Sequence, residues 1–155
     1  RDEYRDREMA AATLTLVKAE LQHNLSELER IVPLRQGMLE RYIEALDALR
    51  NENVFPQNFP DFQSPDITSL AYELAQDSGA VTVVPPEELL VIARAYESLR
   101  EVSENDDFLD ARNAQIRFND GEQYLSGFIY YVYRAAANEP AAIEDIREAL
   151  RLLGD

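Results

Sequence analysis

Apolar residues recur at heptad spacing through the first third of the chain. Leu14, Leu21, Leu28, Tyr42 and Leu49 fall at one position of the repeat, and Leu25, Val32, Leu39 and Leu46 at the other. That period lays one apolar seam along a helix. Two polar residues, Lys18 and Arg35, enter the seam, and it passes Pro33 without losing phase. A proline inside a helix lacks its donor and crowds the carbonyl four residues back, here that of Glu29. Two unconnected helices have no reason to share a phase, so the pattern predicts one long helix over about 4–51, kinked near Pro33. The alternative is a break at Val32, with a second helix that takes Pro33 as its first residue.

The period is lost over 53–65, where three prolines and the phenylalanines Phe55, Phe59 and Phe62 predict an extended connection pinned to the helices by its rings. A short helix is expected next, with Ser64 as N-cap and Pro65 at its first position. Its inner face would be Ile67, Leu70, Ala71 and Leu74, and Asp77-Ser78-Gly79 would end it. Val81–Val84 is apolar and β-branched but short, and it reads as an extended linker, with a strand as the alternative. Pro86-Glu87-Glu88 opens a helix with proline first and acids in the first turn. Leu89, Ile92, Ala93, Tyr96 and Leu99 form its buried stripe. The polar run Ser103–Asp107 is an expected interruption, after which Phe108, Leu109, Arg112 and Ile116 resume the pattern until Asn119-Asp120-Gly121.

Tyr124–Ala137 is apolar on nearly every side, so it lies either at the centre of a bundle or at a partner surface. Its aromatic residues Tyr124, Phe128, Tyr130, Tyr131 and Tyr133 are the candidate interface, because a tyrosine presents a large apolar body and one hydroxyl. Asn138-Glu139-Pro140 is expected to end this helix, and Ile143, Ile146, Leu150 and Leu153 mark a last one. The fold class is therefore all-α, a helical bundle built on a long kinked N-terminal helix, with residues 1–155 as one domain.

The charge changes the picture of partners. Thirty acids against fifteen bases give a net charge of −15, and residues 54–107 hold eleven acids and two bases. Nucleic-acid binders bring cations to replace counterions, so nucleic acid is not an expected partner. The absence of cysteine excludes disulfides, thiolate metal sites and thiol catalysis. No apolar run approaches the roughly eighteen residues that a membrane span needs. The chain begins at Arg1 without Met, which reads as a piece or processed product of a longer chain that carries any signal or anchor.

Little catalytic chemistry is visible. His23, the one histidine, shares a helix face with Glu20 and Glu27 and offers either a metal site or solvated salt links, the second being favoured. Asn105-Asp106-Asp107 and Asn119-Asp120-Gly121 lack the alternating oxygens and terminal glutamate of a calcium loop. Five scattered glycines make no phosphate loop. No catalytic residue, metal or cofactor is expected, and the chain is not read as an enzyme.

Several blocks carry a resemblance. Glu20-Leu21, Asn24 and Leu28, followed by Ala71-Tyr72-Glu73, Ser78-Gly79-Ala80, Pro86-Glu87-Glu88 and Ala95-Tyr96-Glu97, resemble a group of uncharacterised bacterial membrane-anchored proteins. These have one N-terminal transmembrane helix followed by a helical domain of unknown function. The resemblance covers about residues 1–100, with Tyr72 standing where the family usually has tryptophan. It implies an anchor upstream of Arg1, residues 1–8 as a juxtamembrane segment, and a periplasmic placement. Two functions follow as expectations. One is a non-catalytic domain for assembly, with a second copy or another protein as partner. The other is a sensory domain with a small molecule between helices, in a pocket lined by Tyr42, Tyr72, Tyr96 or Tyr130.

Overall fold

The computed structural model describes residues 2–54, 62–119 and 121–154, with backbone alone for 113–119. Phe55, Phe59, the Ile116 side chain and Asp120 therefore lie outside the described residues. Within them the order is α1 (Glu3–Glu52), α2 (Leu70–Asp77), a 3-10 turn (Ala80–Val83), α3 (Pro86–Asn119) and α4 (Glu122–Leu152). No strand occurs among the described residues. The chain is an all-α bundle on a long N-terminal helix, as its periodicity predicts.

Asp2 starts α1 by accepting hydrogen bonds from the backbone of Tyr4 and Arg5. The helix runs unbroken through Pro33, which excludes the alternative of two helices. Every residue of the predicted seam is buried or half-buried, from Leu14 to Leu49. Its C-cap, Asn53, sits in the left-handed region at φ 52°.

α4 packs against both α1 and α3. Two apolar clusters fill the bundle. The first joins Val17, Leu21 and Leu28 of α1 to Ile92, Leu99 and Val102 of α3 and Ile146 and Leu150 of α4. The second joins Leu39, Tyr42 and Leu46 to Phe62, Leu109, Leu125, Phe128 and Val132. The N-terminal halves of α1 and α3 thus meet the C-terminal half of α4. This makes α1 and α3 parallel to each other and antiparallel to α4.

Four local expectations are corrected. The short helix begins at Leu70 with Ser69 as N-cap, not at Ser64-Pro65, and Leu70 and Leu74 point outward at 62% and 58% exposure. Val81–Val84 is neither strand nor extended linker: the chain makes a 3-10 turn over Ala80–Val83 before Pro86. Ser103–Asp107 does not interrupt α3, because Asn105 and Asp106 turn inward and are buried while Phe108 is exposed. Pro140 does not end a helix either; α4 continues through it. Pro140 lies on the solvent side, where water can satisfy the carbonyl it leaves unpaired, while Glu139 and Ala142 hold the buried face in phase on either side of it.

Candidate functional site

Three arrangements of polar and aromatic side chains stand out. The first is a docking strip on α1. Glu20, His23, Asn24 and Glu27 lie within two turns and share one face. Asn24 pairs with Thr68 by both its amide nitrogen and oxygen, at 2.8 and 3.0 Å. The Glu20 carboxylate accepts from the backbone of Ala71 at 2.7 Å and of Tyr72 at 3.3 Å. It thus caps the N-terminus of α2 from another helix, which explains why α2 starts where Ser69 makes no side-chain cap. Tyr96 donates its hydroxyl to the same carboxylate at 2.5 Å. Burial, with Glu20 beside it, pushes the Tyr96 hydroxyl far above the ordinary tyrosine range.

His23 and Glu27 serve the same strip. The imidazole Nε2 lies 3.0 Å from the Asp66 carbonyl, and Glu27 accepts from the Asp66 backbone at 2.9 Å. Hydrogen bonds from Arg30 and then from Asp66 hold the Glu27 carboxyl down at about 2. Among the described residues no group of three metal-ligating side chains forms. Glu20, His23 and Glu27 instead fasten the segment that leads into α2.

Beside this strip a groove of about 460 Å³ opens between α2 and α3. Tyr72 and Tyr96 line it, stacked at 4.2 Å between ring centroids. Ile67 and Leu99 add apolar wall, and Glu73, Glu97 and Arg100 add charge. The candidate pocket tyrosines thus divide. Tyr72 and Tyr96 come together, whereas Tyr42 is fully buried in the second cluster, edge-on to Phe128, and burial pushes its hydroxyl up to about 12. Tyr130 is on the outside of α4.

The second arrangement is a buried polar layer between the two apolar clusters. Arg35 donates Nε and Nη2 to the two carboxylate oxygens of Glu139, both at 2.6 Å, and Nη1 to the Gln63 carbonyl at 2.6 Å. The Phe62 ring lies 4.3 Å from the guanidinium carbon. From α3, Asn105 donates to the Tyr131 carbonyl. Asp106 is 6% exposed, and one of its oxygens has no partner. Burial first, then the Glu139 charge, pushes its carboxyl up to about 7. This layer is not among the sites expected from the sequence. Its signal was the phase of Arg35 within the apolar seam and of Asn105-Asp106 on α3.

The third arrangement is on the surface of α4. Of the candidate interface residues, Tyr124, Tyr130 and Tyr133 are exposed, at 39%, 59% and 53%, and Tyr131 is half-buried. Phe108 stacks on Tyr131 at 5.3 Å, Tyr130 meets Tyr131 edge-on, and Arg112 covers the Tyr131 ring. Gly127 gives that guanidinium room, since a Cβ there would stand 3.2 Å from it. Phe128 is corrected: it is fully buried, because it faces Tyr42 and Phe62 across the bundle.

Comparison with protein-family models, with curated proteins and with solved structures finds no match to this chain.

Proposed function

We propose that this chain is a non-catalytic helical domain that mediates protein assembly, joined to a membrane through an anchor upstream of Arg1. The exposed aromatic strip of α4, Tyr130 and Tyr133 at i and i+3 with Tyr124 at another edge of the same helix, carries the reading. Tyr124, Tyr130, Tyr133 and Phe108 put large ring surfaces into solvent where neither apolar cluster uses them, while Tyr131, stacked on Phe108, packs against the second cluster. Residues 123–138 hold no acid in a chain of net charge −15, so a second copy meets less repulsion there than elsewhere. The tether rests on the family resemblance of residues 1–100. No described helix is long and apolar enough to cross a membrane.

The carboxylates support a non-catalytic role. Glu20 is engaged by backbone donors and Tyr96, and Glu139 by Arg35. Asp106 has a carboxyl in the range of a general acid, but it is sealed from solvent. A second reading, a small molecule held between helices, is favoured by the groove between α2 and α3. The test of assembly is a dilution series followed by amide chemical shifts. Concentration-dependent shifts at Phe108, Tyr130 and Tyr133 are expected, and a spectrum unchanged by dilution would count against self-assembly.

A further inference from the structure

The chemistry of the α2–α3 groove narrows what fits it. Its apolar lining is aromatic and aliphatic: Tyr72, Tyr96, Ile67 and Leu99. Its charge is mostly negative. Arg100, the cation that lines it, is held by Glu97 at 2.5 Å and by Glu104 at 2.6 Å. Glu73 has the hydroxyl of Ser69 as its partner, with no cation beside it among the described residues. Two carboxylates, Glu73 and Glu97, therefore line the groove with one guanidinium, which is itself held by Glu97 and by Glu104 outside the lining. The groove also lies within the most acidic third of the chain, with eleven acids and two bases over 54–107. A field of that sign draws cations into a cleft and opposes anions.

We infer that this groove binds a small organic cation with an apolar body, an aryl- or alkylammonium. The inference rests on the small-molecule reading of the groove and adds the class of ligand. The body lies against the tyrosines and Leu99, and the ammonium faces Glu73 and Glu97. An ammonium near tyrosine rings gains from their quadrupole as well as from the carboxylates. The volume, about 460 Å³, lies in the range of small-molecule sites. A neutral ligand of the same shape would use the walls but not the charge.

The test is an NMR titration of the whole chain with phenethylamine, which is cationic at pH 7, beside 2-phenylethanol and phenylacetate. Saturable shifts centred on Tyr72, Glu73, Tyr96 and Glu97 are expected with the amine, with clearly weaker binding of the alcohol and none of the acid. Two exposed variants sharpen the result. Glu73→Gln weakens the amine by about threefold, and Arg100→Gln, which releases two carboxylates, strengthens it by a similar factor, while neither changes the alcohol. Equal binding of amine and alcohol would overturn the cation preference and leave the small-molecule reading standing. No saturable shift with any of the three would overturn both.

Discussion

Arg35 of α1 and Glu139 of α4 form a two-point ion pair, 2.6 Å at each contact, with 3% and 0% of their side chains exposed. The pair separates the two apolar clusters, and each helix carries a proline close to it, Pro33 and Pro140. Those prolines line one shallow groove, bridged by Arg147 and Glu29 at 3.1 Å. Burial of two charges is costly, and geometry this close largely offsets the cost. Loss of one partner is a different matter. Arg35→Met or Glu139→Leu alone is expected to cost about 3–5 kcal/mol, because the remaining charge stays buried. The double variant should recover most of that loss. Urea denaturation of the three variants at pH 7 checks it.

Asp106 makes stability depend on pH. Its carboxyl titrates at about 7 in the fold against 3.8 ordinarily. Below about pH 4 both folded and unfolded chains hold the proton, so nothing is lost. Between 4 and 7 the unfolded chain ionises first, and stability falls as pH rises; above 7 the loss is complete. Arg35, Glu139, Asp107 and Asp110 are the charged groups that act on it. Asp106→Asn is expected to remove this window and raise stability at pH 8, by an upper bound on the order of 4 kcal/mol. Paired thermal melts at pH 5 and pH 8 measure the difference.

Glu20 holds α2 in place. Glu20→Ala removes the acceptor for the amides of Ala71 and Tyr72 and for the Tyr96 hydroxyl. Leaving buried donors unpaired costs about 1–3 kcal/mol each at most. The amides near the exposed start of α2 can turn to water, so a total of about 2–3 kcal/mol is expected. Hydrogen exchange should quicken over 70–77 more than over the core of α4. Equal acceleration in both would contradict a local cap.

Gly79 stands at φ +76°, between α2 and the 3-10 turn, with open space where a Cβ would be. Gly79→Ala should therefore cost backbone strain alone, about 1–2 kcal/mol. Denaturant midpoints measure it. A neutral result would mean that the turn relaxes out of the left-handed region.

The parts of the fold that repetition encodes were legible. The seam from Leu14 to Leu49 spans about ten turns, and its phase survives a proline. The errors fall where a distant residue decides a local choice. Ser64-Pro65 has the chemistry of a helix start, but the chain stays non-helical to Ser69, where Asn24 holds Thr68 and Glu20 supplies the cap from outside. Asn105-Asp106 reads as a solvent-facing break until Arg35 and Glu139 make an ionic layer opposite it. Pro140 reads as a stop, although its ring faces solvent and α4 keeps its buried phase. In the candidate pocket, the aromatic identity of Tyr72 and Tyr96 was visible, while their stacking and the loss of Tyr42 to the core depend on three-dimensional packing.

The most direct test of assembly is the absolute mass of the purified chain by light scattering after size exclusion, across a wide range of concentration. The account predicts a dimer or larger species that grows with concentration and is lost in a Tyr130→Ser, Tyr133→Ser variant. A mass of 17.7 kDa at every concentration would contradict self-assembly through the aromatic strip.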